Sequence, residues 1–314
     1  MKQAYQYSAL LGIVSLLTTG LQAGDETVQA KSSNPSSDWA NSSGIVGHFG
    51  LSTGANFLRG GDGVENSARV GFGVIDGSIT IPVFQKDLLT LDAYARKDKF
   101  ESDSDFDSAE GPKSEFSLGA HYLRQITEDT RAGFFAAYSD TRPQDGDKSD
   151  AYNLLIYGLE AHHFLSDDLM LYGQFGSGFK LREGAEDENG FDNGIFVRAG
   201  ASYFPDKISS ITLDVELAYT GEYIDGDAAG HFYGTTLSYQ RLITDDMPLY
   251  FTCFGRYDVF ESPDDDAFMD EFQVGIGFRY YFGAESPQGA ARKGLSIGTP
   301  RLPTRASAWT QALD

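Results

Sequence analysis

The sequence predicts an all-β chain: about twelve antiparallel strands, ten at the fewest, closed into an up-and-down transmembrane barrel. Three observations predict it. Apolar and polar residues alternate at a period of two along most of the chain, which marks strands with two unlike faces. The connections alternate between short and long. The aromatic residues of the apolar faces gather at both ends of the segments, as amphipathic rings do at two water–lipid boundaries.

The elements follow in chain order. Lys2, the apolar run "ALLGIVSLLTTG" at 9–20 and the small-residue site "LQA" at 21–23 read as a secretory signal peptide over 1–23, removed after Ala23. No cysteine follows that site, which disfavours a lipoprotein. Beyond it no stretch approaches the ~18 apolar residues of a membrane helix. Residues 24–43, rich in Ser and Asn, read as a periplasmic linker. Strands are expected at 45–53 (the weakest pattern), 70–84, 88–97, 114–124, 131–139, 151–163, 169–181, 194–204, 210–221, 231–242, 249–259 and 271–282. Their length of ~10–14 residues is what a tilted strand needs to cross hydrocarbon. In "EFQVGIGFRYYF" (271–282), Phe272, Val274, Ile276, Phe278, Tyr280 and Phe282 share one face. In "ITLDVELAYT" (211–220), Asp214 and Glu216 oppose Leu213, Val215 and Leu217. Pro82 is placed near a strand end, where a missing ladder donor matters least.

Short connections at 85–87, 125–130, 164–168, 205–209 and 243–248 alternate with long ones at 54–69, 98–113, 140–150, 182–193, 222–230 and 260–270. Short periplasmic turns and long acidic extracellular loops fit this asymmetry, with the barrel over 44–283. The expected outer belt is Phe116, Tyr138, Phe179, Tyr219, Tyr233, Tyr257 and Phe272, and the inner belt Tyr122, Tyr203, Tyr239, Phe251, Tyr280 and Phe282. A barrel of about twelve strands is too wide for the available aliphatic side chains to fill. The apolar face is therefore expected to meet lipid. A sandwich of two packed sheets is the soluble alternative.

The last strand, with Gln273, Gly275, Phe278 and Tyr280 running on to Phe282, resembles the C-terminal β-signal of bacterial outer-membrane barrel proteins. The resemblance implies recognition by the barrel assembly machinery and a location in the outer membrane of a Gram-negative cell, among outer-membrane lipid and lipopolysaccharide. It covers 273–282 as a motif and 45–282 in architecture. One departure stands out: the family ends on the terminal aromatic, whereas here 284–314 follow. This segment is expected as a periplasmic tail, mostly a disordered extension. Its basic residues Arg292, Lys293, Arg301 and Arg305 would also let it dock on an acidic partner or plug the barrel.

Charge bounds the function. The net charge of −22 excludes nucleic acid as a partner. The connections 98–113, 140–150, 182–193, 221–230 and 260–270 carry −18 of it. No cofactor is expected; those acidic loops would at most attract loosely bound Ca²⁺ or Mg²⁺, and none has the spacing of a calcium motif. Expected lumen-lining residues are Arg96, Glu115, Arg131, Glu160, Lys180, Arg198, Asp214, Glu216, Arg256, Asp258 and Arg279, with Asp76 and Asp92 as further acids. Hairpin register sets Arg96 against Glu115, Arg131 against Glu160, and Arg198 against Asp214 or Glu216. Such pairs either brace the wall or form a charge-sorting constriction. Catalysis is not expected: none of His48, His121, His162, His163 and His231 has a serine in a recognisable motif. The lone Cys253 reads as an apolar filler on the lipid face. The function expected is a porin-like channel for passive diffusion of small hydrophilic solutes, weakly cation-selective. A non-conducting structural or adhesin-like barrel is the alternative, ahead of an outer-membrane hydrolase.

Overall fold

A computed structural model describes residues 44–60, 67–100, 112–143, 152–181, 191–221, 229–262 and 267–308. Twelve strands run in chain order: β1 (Val46–Gly60), β2 (Ser67–Phe84), β3 (Asp87–Phe100), β4 (Pro112–Gln125), β5 (Thr130–Pro143), β6 (Tyr152–Ser166), β7 (Leu169–Lys180), β8 (Gly194–Asp206), β9 (Ser209–Thr220), β10 (Gly230–Thr244), β11 (Met247–Ser262) and β12 (Ala267–Phe282). Each pairs antiparallel with its sequence neighbours, and β12 pairs with β1 to close the barrel. Closure removes both sheet edges, so no backbone ladder faces lipid unpaired.

The period-two pattern decides which side chains face out. Leu51, Leu159, Phe175, Ile195, Ile276 and Phe278 are exposed on the outer wall. Both expected aromatic belts lie on that outward phase. Such an apolar outer surface on a closed barrel is stable in hydrocarbon and not in water.

Strand ends extend past the sequence reading. β1 continues to Gly60 through "STGANF", a stretch that local composition marks as loop. Pairing with β2 on one side and β12 on the other overrides that preference. Pro82 lies at a register shift beside Phe84, where the ladder is already interrupted. The signal peptide, the linker and most of the acidic loop residues lie outside the described residues.

The expectation of a periplasmic tail from 284 onward is corrected. Gly283 adopts φ 70°, a left-handed turn open to glycine, and directs the chain from β12 back inside the barrel. Two short helices follow, α1 (Pro287–Arg292) and α2 (Leu302–Ala308). Ser286 accepts a hydrogen bond from the Gly289 N–H at 3.0 Å, and Pro287 occupies the first turn of α1, a strong local start signal.

The lumen also holds apolar side chains besides the expected charges. Inward Phe196, Phe232, Phe260 and Met269 form an apolar layer at the outer end, completed by Leu302 and Ala306 of α2. Near the periplasmic end, Val46, Tyr250 and Tyr281 pack with Ala284, Ala290 and Leu295. Phe164, Met170, Tyr172 and Phe204 pack with Ala291 and Ile297. The barrel interior thus has the width to need filling, and its own C-terminal segment contributes to every apolar cluster that fills it.

Candidate functional site

Arg198, Arg256 and Arg279 sit on the inward phase of the strands and find partners no more than two strands away. Arg198 faces Glu216 across β8 and β9, and its Nε donates to Asp214 at 2.7 Å. Arg256 donates to Asp258 at 2.7 Å and reaches Glu216 at 3.5 Å. Arg279 donates to Asp76 at 3.0 Å, and the same carboxylate meets His48 Nε2 at 2.8 Å. Lys180 stands at the outer end, 5.4 Å from the centre of the Tyr152 ring.

Two expected pairs part company. Arg96 does face Glu115 across β3 and β4, yet it donates to Asp98 and Gln273, both at 2.8 Å. Arg131 faces His162 rather than Glu160 and donates to the Arg292 carbonyl at 2.9 Å. Glu160 instead accepts from Gln174 at 2.8 Å and contacts His121 at 3.0 Å. The two-residue slip follows from the β5–β6 register, which strand composition alone does not fix.

The tail takes up what the wall leaves free. At the periplasmic rim Arg292 donates to Asp167 and Gln288 to the Asp167 carbonyl, each at 2.8 Å. Higher up, Thr299 donates to Asp92 at 3.1 Å, and the Gly298 carbonyl accepts from Gln174 at 3.0 Å and Arg198 at 3.1 Å. Glu216 Oε2 accepts the backbone N–H groups of Arg301 at 3.1 Å and Leu302 at 2.6 Å, a carboxylate at the positive end of α2. Arg301 also donates to Ser117 at 2.6 Å and lies 3.6 Å over the Tyr94 ring.

Arg305 makes the innermost contact. Its guanidinium donates to both oxygens of Glu271, to Glu115, and to Asp98 at 3.4 Å. Burial alone would lower its pKa; Glu115, Glu271 and Asp98 outweigh burial and hold it well above the ordinary arginine value. Among the described inward side chains between the turns, nine carboxylates (Asp76, Asp92, Asp98, Glu115, Glu160, Asp214, Glu216, Asp258 and Glu271) face six permanent cations (Arg96, Arg131, Lys180, Arg198, Arg256 and Arg279) and His121, whose two ring nitrogens both meet carboxylates. Arg301 and Arg305 supply the two missing positive charges, and Arg292 pairs with Asp167 in the β6–β7 turn.

One constellation resembles a hydrolase on paper. Ser296 Oγ lies 3.1 Å from His121 Nδ1, and Asp92 lies 2.5 Å from Nε2. Glu160 also contacts Nδ1, so both ring nitrogens face carboxylates that can only accept. A ring that donates from both nitrogens has no lone pair with which to take a serine proton. The cluster reads as a brace between wall and tail.

Beside the tail, against β1–β3 and β8–β12, lies a cavity of about 390 Å³. Ser52, Thr212, Thr236, Ser238, Thr252, Phe72 and Phe254 line it, with Arg96, Arg256 and Arg305 at its outer end.

Of the residues expected to form the assembly signal, Phe278 and Tyr280 face outward, Gln273 and Gly275 inward, and Phe282 sits half-buried at the periplasmic end. Sequence reasoning did not place Asp98, His121 or Ser296 in the lumen. Asp98 was lost because β3 runs on past 97. The available signal for the tail was its excess of arginine beside a lumen with an excess of acid.

A closed, antiparallel, twelve-stranded barrel with an apolar outer band and ion-paired interior defines a bacterial outer-membrane β-barrel. A solved outer-membrane channel from Pseudomonas putida F1 shares this fold at 11% identity, covering 76% of this chain and 95% of that one, with a TM-score of 0.53. The CymD monoaromatic hydrocarbon channel aligns at 11% identity over 79% of this chain and 91% of that one, TM-score 0.43. The translocator domain of the autotransporter NalP from Neisseria meningitidis aligns at 8% identity over 89% and 98%, TM-score 0.41. At these identities the likeness concerns the fold. No protein-family model matches the sequence, and no curated protein matches it.

Proposed function

We propose that this barrel is an outer-membrane channel for passive diffusion of small hydrophilic solutes, closed at rest by its own C-terminal segment. The observation that carries this reading is the charge match between lumen and tail. A wall that only had to be rigid would balance its own charges; this one keeps two carboxylates in excess and balances them with a tethered segment that enters from one end. Withdrawal of the segment would leave a polar, acidic path beneath the outer apolar layer. That path would favour cations weakly, since an excess of carboxylates raises local cation concentration. Assembly would proceed through the signal at Gln273, Gly275, Phe278, Tyr280 and Phe282, and the outer rim would sit among lipopolysaccharide headgroups.

A second reading has its own support. The apolar layer of Phe196, Phe232 and Phe260, with Leu302 and Ala306 packed into it, closes the outer end, which favours a barrel that does not conduct and serves as a scaffold. Liposome swelling separates the two. Proteoliposomes carrying a tail-released variant should admit arabinose and lysine faster than glutamate. Vesicles that stay impermeable to all three, with the barrel folded, would leave the scaffold reading.

A further inference from the structure

One row of the lumen wall departs from the crowding around it. Phe254, Gly275, Gly54 and Phe72 lie side by side across β11, β12, β1 and β2. The two rings fold inward over the two glycines, so that a Cβ at Gly275 would collide with the Phe254 ring and one at Gly54 with the Phe72 ring. Ring centres come within 6.1 Å at an angle of 39°. The result is an aromatic floor lying against the wall, with Phe254 only half-buried and facing the cavity. At Gly54 the backbone of Val274 already excludes a side chain, but at Gly275 the nearest atoms all belong to the Phe254 ring.

The neighbouring rows are polar. On the outer side lie Arg256, Gln273 and Asn56; on the periplasmic side lie Thr252, Gly277 and Ser52. Arg96 stacks 4.2 Å over Phe72 and holds Gln273. Several polar atoms around Gln273 have no hydrogen-bond partner among the described residues: Arg96 Nη2, Arg256 Nη2, Asp258 Oδ1 and both amide atoms of Asn56. Of these only the two arginine donors line the cavity, and Glu216, Ser52 and Thr252 line it beside them as acceptors. An anion would satisfy only the donors and meet Asp98, Glu216, Asp258 and Glu271 nearby. A cation would satisfy only the acceptors and meet Arg96, Arg256 and Arg305. Hydroxyl groups satisfy both kinds.

We propose that this floor and its polar rim form a binding site for a neutral, hydroxyl-rich solute of mono- or disaccharide size. The C–H face of a pyranose ring would lie on Phe254 and Phe72. Its hydroxyls would accept from Arg96 and Arg256, donate to Glu216, and exchange hydrogen bonds with Thr252 and Ser52. The cavity volume of about 390 Å³ lies within the range of small-molecule sites. The proposal deepens the channel reading by naming a solute class for the same lumen.

The test is saturation-transfer NMR on the full chain refolded in detergent, with glucose and sucrose as probes and lysine and glutarate as charged controls. Saturable transfer to the sugar C–H protons is expected, and none to the controls. Phe254→Ala should weaken sugar binding about tenfold, the scale of one lost aromatic contact. Gly275→Ala, which displaces the ring without removing it, should act in the same direction. Thr252→Val keeps the barrel's shape and should weaken binding less, which keeps the test open if Phe254→Ala misfolds. Absence of transfer to either sugar, equal transfer to a charged control, or binding indifferent to all three substitutions would overturn the site. Swelling assays run in parallel keep the two readings apart. Sugar binding by a barrel that never conducts leaves the site and removes the channel, and conduction without sugar binding does the reverse.

Discussion

Arg305→Ala is the perturbation with the clearest arithmetic. The side chain is 3% exposed, and the three carboxylates it holds, Asp98, Glu115 and Glu271, are 1%, 4% and 0% exposed. Removing one partner of a buried charge cluster costs about 3–5 kcal/mol, chiefly because the others stay behind uncompensated. Water entering a lumen softens that penalty, so about 3 kcal/mol is the fair figure for docking of the tail. At 1.4 kcal/mol per decade, the population of undocked tail should rise roughly a hundredfold. Trypsin reads this population at the Arg301–Leu302 bond, which is buried against Glu216 when docked. Where reclosing outpaces cleavage, the cleavage rate follows the open fraction. Arg305→Ala should therefore raise the initial rate at that bond about a hundredfold, and Arg305→Lys, which keeps the charge but loses the planar fork, about tenfold. A heat-modifiable Arg305→Ala barrel whose Arg301–Leu302 bond stays as resistant as wild type would refute the reasoning.

Other substitutions separate plug from wall. Leu302→Ala empties a fully buried position in the outer apolar layer, and its cost of about 2–5 kcal/mol should expose the same bond by thirtyfold or more. Glu216→Ala removes the acceptor of two α2 N–H groups and should cost about 1–2 kcal/mol of docking, visible as a smaller rise in cleavage. Asp76→Asn, by contrast, breaks the His48–Asp76–Arg279 brace within the wall. It should lower the midpoint of heat modification while leaving tail cleavage unchanged.

Much of the barrel is legible in the sequence because period-two alternation survives without any knowledge of partners. All twelve strand segments appear where 271–282 and 211–220 lead one to look. Their ends do not, because a strand such as β1 is held past its own propensity by neighbours on both sides. The apolar layer escaped for a related reason. Strand ends such as Phe232–Tyr233 and Val259–Phe260 carry apolar residues on both faces, and alternation alone assigns such pairs to lipid. The lumen charges themselves were readable, since Arg198, Asp214 and Glu216 share one phase. Their partners were not. Whether Glu115 meets Arg96 or Arg305 depends on a segment 190 residues away, and only the excess of basic residues in that segment hints at its destination.

The most direct measurement is single-channel conductance of the full chain beside a chain ending at Gly283, both refolded and heat-modifiable, in planar bilayers with a salt gradient. A channel closed by its own tail predicts rare, brief openings from the full chain and sustained openings, with a cation-favouring reversal potential, from the shortened one. Equal conductance from the two chains, or silence from both, would contradict it.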